Sequence, residues 1–164
     1  MDNELQSRKT IDLIINGWEI TKDHLTGELF SESYYRCSQQ LVVRADDRDF
    51  SKYTSKSPIA LTELKQYTFG TGKGFKASEL LDDAGIDLKT FDYPLTALND
   101  GAVKIAMIDV PIAIYFIDGK GPYATPSKTL RALGQPLLFI NSDSDYVIGF
   151  KKNDQNANKF VPRH

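Results

Sequence analysis

Apolar residues in this chain come in short runs separated by polar turns, which predicts many short strands and few helices. Ile11 to Ile20 (IDLIINGWEI) is rich in β-branched residues, and Asn16-Gly17 is a strong turn pair. It predicts two short strands or one bulged strand, with Trp18 at the core edge. Tyr34 to Arg44 reads as a strand, strongest over Leu41 to Arg44. Ser57-Pro58 has the form of a helix start, because serine caps free amides and proline has no amide proton to lose. A short helix through Gln66 follows, with Leu61 and Leu64 on one face. A second helix is expected from Lys76 to Ala84, closed by Gly85 in the left-handed position, with Ile86 folding back on the last turn.

Beyond Tyr93-Pro94, the segments Leu95 to Leu98, Ala102 to Ile108 and Ile112 to Ile117 read as strands. Val103 and Ile105 alternate with Lys104, and Ile112 to Ile117 is nearly all apolar, as a central strand would be. Asn99-Asp-Gly101 suits a hairpin turn. Leu137 to Ile140 and Tyr146 to Lys151 predict a further hairpin across Asn141 to Asp145. The fold class expected is α+β: short strands in a mixed sheet or barrel-like core with two short helices. One domain is expected over residues 1–152, with a polar C-terminal tail at 153–164.

Composition narrows the function classes. The chain has 164 residues and a formal charge of -2, so no broad basic surface for nucleic acid is expected. No apolar run reaches the ~20 residues of a membrane helix. The N-terminus is acidic and polar, unlike a signal peptide. With one cysteine, Cys37, no intramolecular disulfide can form, and a cytoplasmic location is expected. The two histidines, His24 and His164, lie in no metal-binding motif.

Candidate chemistry rests on loops. Gly70-Thr-Gly-Lys-Gly74 invites an anion through close amides and Lys73, but it matches neither common phosphate motif and reads more simply as a flexible turn between two helices. Lys120, Lys128 and Arg131, among Thr125, Ser127 and Thr129, suit a phosphate or another anion, or an ordinary solvated loop. Asn141, Asp143 and Asp145 alternate as calcium ligands do, but lack the bend glycine and the distal acid.

Several segments in order resemble the oxidoreductase molybdopterin-binding, sulfite-oxidase-type domain. They are Gly72-Lys-Gly-Phe75, Leu80-Leu-Asp-Asp-Ala-Gly85, Ala97-Leu-Asn-Asp-Gly101, Asp118-Gly119 and Arg131-Ala-Leu-Gly-Gln-Pro-Leu137, within a family-like core of residues 57–151. The resemblance implies a sulfite-oxidase-like fold with a molybdopterin cleft at Gly72, Lys73, Asn99, Asp100, Lys128 and Arg131. Catalytic members of that family ligate molybdenum with a cysteine at or just before the glycine turn, where this chain has Tyr67, Thr68 and Phe69. The expectation is therefore a non-catalytic member that binds an anionic small molecule, a pterin or a nucleotide. If it were an enzyme, it would be a molybdopterin-dependent oxidoreductase. The alternative is a protein-binding module, such as an immunity or inhibitor protein, supported by small size and abundant tyrosine.

Overall fold

The computed structural model describes residues 11–22, 24–118, 129–138, 145–152 and 157. Contacts divide the chain into two compact units, Met1–Cys37 with Asn141–His164, and Ser38–Ile140.

The first unit is built on an open antiparallel sheet. Strand β1 (Leu13–Glu19), β2 (Glu28–Phe30) and β3 (Tyr35–Arg36) all pair with β9 (Asp145–Lys151). The β1 ladder shifts register between Ile14 and Trp18, and Gly17 supplies the positive φ of 59° there. The expected bulged strand is thus found. Trp18 stacks on His24 with ring centroids 4.2 Å apart and donates its indole N–H to Glu28 at 2.8 Å.

The second unit holds a five-stranded mixed sheet in the order β6-β5-β7-β4-β8. Its strands are β4 (Gln39–Arg44), β5 (Phe69–Gly72), β6 (Leu88–Phe91), β7 (Ile105–Asp109) and β8 (Leu130–Leu137). Strands β6 and β7 flank β5 in parallel, while β4 runs antiparallel to both β7 and β8. Helix α1 (Lys76–Asp83) follows β5, α2 (Pro94–Asn99) follows β6, and α3 (Val110–Ile117) follows β7. Parallel neighbours require such crossovers. Among the described residues neither sheet closes on itself, so the core is not barrel-like.

The sheet buries both faces, which explains its apolar strands. On one face Leu41, Val43, Phe69, Ile105 and Met107 pack with Leu80 and Leu81 of α1. On the other, Val42, Ala106 and Ile108 pack with Leu95 and Leu98 of α2 and Ala113 of α3. Helix α1 ends as its sequence predicts: Gly85 has φ 66°, and the Ile86 amide donates to the Leu81 carbonyl at 3.0 Å. Ser57-Pro58 starts no α-helix. A single 3₁₀ turn forms instead at Leu61–Leu64, where the Glu63 carboxylate accepts from the Ala60 amide at 3.1 Å.

Two expected strands are helices. Leu95 to Leu98 lies in α2 and Ile112 to Ile117 in α3. Each helix begins at an Xaa-Pro pair, Tyr93-Pro94 or Val110-Pro111, where the missing amide of proline costs no hydrogen bond. Asn99-Asp-Gly101 is accordingly a helix end, with Gly101 at φ 81°. The hairpin across Asn141 to Asp145 falls partly outside the described residues, and β8 and β9 belong to different sheets.

Strand β8 is irregular. From the Leu41–Leu133 pair to the Gln39–Leu137 pair the ladder advances two residues on β4 and four on β8. Gly134 sits in this bulge with φ 73°. The Gln40 side-chain amide donates to the Gly134 carbonyl at 3.2 Å, and the Gly134 amide donates to Thr54 at 3.0 Å.

Candidate functional site

Because β5, β6 and β7 are parallel and each leads into a helix, the three strand-to-helix junctions gather at one edge of the sheet. Open α/β sheets bind ligands at the carboxyl ends of their strands, where the backbone turns and side chains project beyond the sheet.

The junction after β7 carries Asp109. It is buried, 3% exposed, and accepts a hydrogen bond from the Gln39 side-chain amide at 2.8 Å. Asp109 is the residue before α3, yet its side chain makes no capping bond to that helix. A carboxylate held at a strand end is a group suited to a cationic ligand atom.

The junction after β5 is Lys73-Gly74-Phe75. Gly74 has φ 77° and Phe75 precedes α1 without giving it a side-chain cap. The first turn of a helix exposes amides that the helix itself does not use, and its dipole favours negative charge there. The Phe75 ring lies over Gly72, where an added Cβ would come within 2.5 Å of it. Within β5 the Thr71 hydroxyl is buried without a hydrogen-bond partner among the described residues, a group whose desolvation costs about 1–3 kcal/mol until something satisfies it.

Between the three junctions lies an apolar cavity of about 160 Å³. Phe75, Tyr93, Leu95, Ile108, Ile112 and Phe116 line it, so every junction contributes.

The residues singled out by sequence fall at opposite ends of the sheet. Gly72 and Lys73 belong to the Asp109 edge, Gly72 buried in β5 and Lys73 exposed beyond it. Arg131 pairs with Val43, which pairs with Ile105 at the other end of β7. Its guanidinium donates to the carbonyls of Phe50 at 2.8 Å and Tyr53 at 3.1 Å, and so holds the loop after β4. It also borders an open cavity of about 650 Å³ with Asp46 and Asp47. Asn99 and Asp100 end α2, where Arg44 donates to the Leu98 carbonyl at 3.1 Å. Asn99 lines a cavity of about 340 Å³ with Arg44 and Asp46. Lys128 lies outside the described residues, as do Lys120, Asn141 and Asp143. Gly72 and Lys73 thus lie at the Asp109 edge, while Asn99 and Arg131 line two different cavities. Asp109 was missed by sequence reading. Its signal is an acid at the end of an apolar strand, directly before a Val-Pro helix start.

Nothing here fits a molybdenum ligand set. Tyr67, Thr68 and Phe69 stand where the family carries its thiolate, with Phe69 fully buried core, and Cys37 is buried in the other unit. Among the described residues no group of three or more His, Cys, Asp or Glu could hold a metal ion. No described helix is long and apolar enough to cross a membrane.

No family model matches the sequence, and no curated protein matches it. Solved structures do match. Holo ArgBP from T. maritima superposes with a TM-score of 0.74 at 23% identity, over 97% of this chain and 64% of that one. An ancestral arginine-binding protein bound to glutamine gives 0.72 at 24%, over 96% and 64%. An arginine 3rd transport system periplasmic binding protein from Legionella pneumophila gives 0.75 at 18%, over 96% and 66%. The chain thus spans less than two thirds of each of these neighbours.

These likenesses overturn the molybdopterin-binding resemblance and the sulfite-oxidase-like fold that it implied. The reason is physical: its best-matching pieces are generic helix ends. Leu80 to Gly85 closes α1 through a left-handed glycine, and Ala97 to Gly101 closes α2 in the same way. The cytoplasmic expectation is corrected too, since the Legionella neighbour is a periplasmic protein. The immunity or inhibitor alternative gains no support from these neighbours. What the chain shares with these neighbours is their fold.

Proposed function

We propose that the chain binds a free amino acid at the Asp109 edge of its five-stranded sheet, as part of an extracytoplasmic binding protein. The observation that carries this reading is the likeness, over 96–97% of the chain, to proteins described as binding arginine or bound to glutamine. Those two ligands share an α-ammonium and an α-carboxylate. The edge offers a complement to each. Asp109 accepts the ammonium, and Gln39 fixes the carboxylate's orientation through its 2.8 Å hydrogen bond. The first turn of α1 offers the carboxylate the positive end of the helix dipole. Both are held before any ligand arrives, which lowers the ordering cost of binding.

Calorimetric titration of the purified chain with the L-amino acids tests this. At least one should bind, and Asp109→Asn should weaken it about thirtyfold or more, since truncating one partner of a buried charge pair costs about 2–5 kcal/mol. Binding that is indifferent to Asp109→Asn, or absent for every amino acid at millimolar concentration, would overturn the reading.

A further inference from the structure

The apolar cavity between the strand-to-helix junctions has a size that selects among side chains. Its volume is about 160 Å³. A cavity of roughly 150 Å³ lined by Leu, Ile and Phe stays dry and takes up benzene. The walls here are hydrocarbon from Leu95, Ile108, Ile112 and Phe116, with the Phe75 ring on one side. Ile108 precedes Asp109 at the end of β7 and Ile112 lies in the first turn of α3, so the chain segment that carries the carboxylate also supplies two residues of the cavity wall.

We propose that this cavity holds the side chain of the bound amino acid, and that the side chain is apolar: a branched aliphatic or a phenyl group. The inference rests on the amino-acid reading above and names its ligand class. A guanidinium entering the cavity would give up its hydration. The acid on the lining is Asp92, which is exposed, so its attraction is screened by water. An aliphatic or aromatic group loses nothing polar on entry. On this reading the three structural neighbours named for arginine share the fold of this chain but not its specificity.

Phe75 owes its place to Gly72. A Cβ at residue 72 would come within 2.5 Å of the ring, so Gly72→Ala must move Phe75 and reshape the cavity wall. Ile112 offers a second handle. It is half-buried at the third position of α3, where an acidic side chain complements the helix dipole. Ile112→Asp thus places a carboxylate against the cavity while favouring the helix that carries it.

The test is titration of the full chain with L-leucine, L-phenylalanine, L-glutamine and L-arginine. Leucine or phenylalanine should bind at least about tenfold tighter than arginine, since one methylene in an apolar pocket is worth roughly 10–200-fold. In Ile112→Asp, with its unfolding midpoint measured alongside, the apolar ligand should weaken about tenfold or more and arginine should gain. A wild-type preference for arginine or glutamine overturns this inference and leaves the amino-acid reading standing. Apolar binding unchanged in Ile112→Asp also overturns it. Failure of all four ligands to bind, along with every other amino acid, overturns both.

Discussion

Replacing Gly134 with alanine probes the bulge in β8, and Gly74→Ala supplies the control. Both glycines have positive φ, 73° and 77°, where an L side chain is strained by about 1–2 kcal/mol. They differ in surroundings. A Cβ at Gly134 would lie 2.7 Å from Ile59 Cδ1 and 2.8 Å from the Ser57 backbone oxygen. A Cβ at Gly74 would meet nothing within 4 Å. The Ser57 carbonyl cannot retreat freely, because it accepts the Gln135 amide at 2.9 Å. Crowding a packed site costs about 1–3 kcal/mol. Gly134→Ala should therefore lose about 2–5 kcal/mol and Gly74→Ala about 1–2 kcal/mol. Urea unfolding followed by tyrosine and tryptophan fluorescence measures the difference. With slopes of about 1–3 kcal/mol per molar, the two midpoints should separate by roughly 1 M. If the two variants unfold at the same midpoint, backbone conformation accounts for both losses and the crowding argument fails.

Other perturbations test other contacts. Leu81→Ala opens a cavity between α1 and the sheet where Leu81 is fully buried, and should cost about 2–5 kcal/mol in urea unfolding. Arg131→Ala removes the donor shared by the Phe50 and Tyr53 carbonyls and should destabilise by about 1–3 kcal/mol, while calorimetry shows amino-acid affinity unchanged. Lys104 is held above the usual lysine value of 10.5 by its hydrogen bond to Asp49, helped by the nearby charges of Asp47 and Asp49. A raised lysine stabilises fully below its unfolded value and loses that contribution as pH rises through the folded one. The gap in unfolding midpoint between wild type and Lys104→Met should thus hold constant to about pH 10 and close above it.

How far the sequence spoke depended on which force decided each segment. Helix α1 was legible because its stop signal is local: Gly85 is needed for a left-handed turn, and Ile86 folds back whatever lies around it. Strand β4 was legible because Leu41, Val42 and Val43 are apolar on both faces. Helix α3 was not. Val110, Ile112, Ile114 and Ile117 are β-branched and favour strands intrinsically, so tertiary packing of Ala113 and its neighbours on the sheet had to override them. Reading α2 and α3 as strands hid the alternation of strand and helix, and with it the parallel sheet. The proposed Asp109 edge was hidden for the same reason. Asp109 acquires meaning from lying where a parallel strand becomes a helix, and no motif in the chain announces that edge. Arg131, by contrast, drew notice as a basic loop residue, although its donors are committed to backbone carbonyls.

Strand β9 is the last of the described strands, and β1, β2 and β3 each form their ladders with it. During synthesis those three strands emerge before β9 and must wait for residues 145–151 before their sheet can assemble. At roughly 5–20 residues per second, the interval from Arg36 to Lys151 is on the order of ten seconds. The strands of the five-stranded sheet all lie between residues 39 and 137, so they are complete in the chain before β9 is made, and the sheet begun first is completed last. A ribosome stalled before residue 145 would release a chain whose N-terminal strands present open edges to any neighbouring polypeptide.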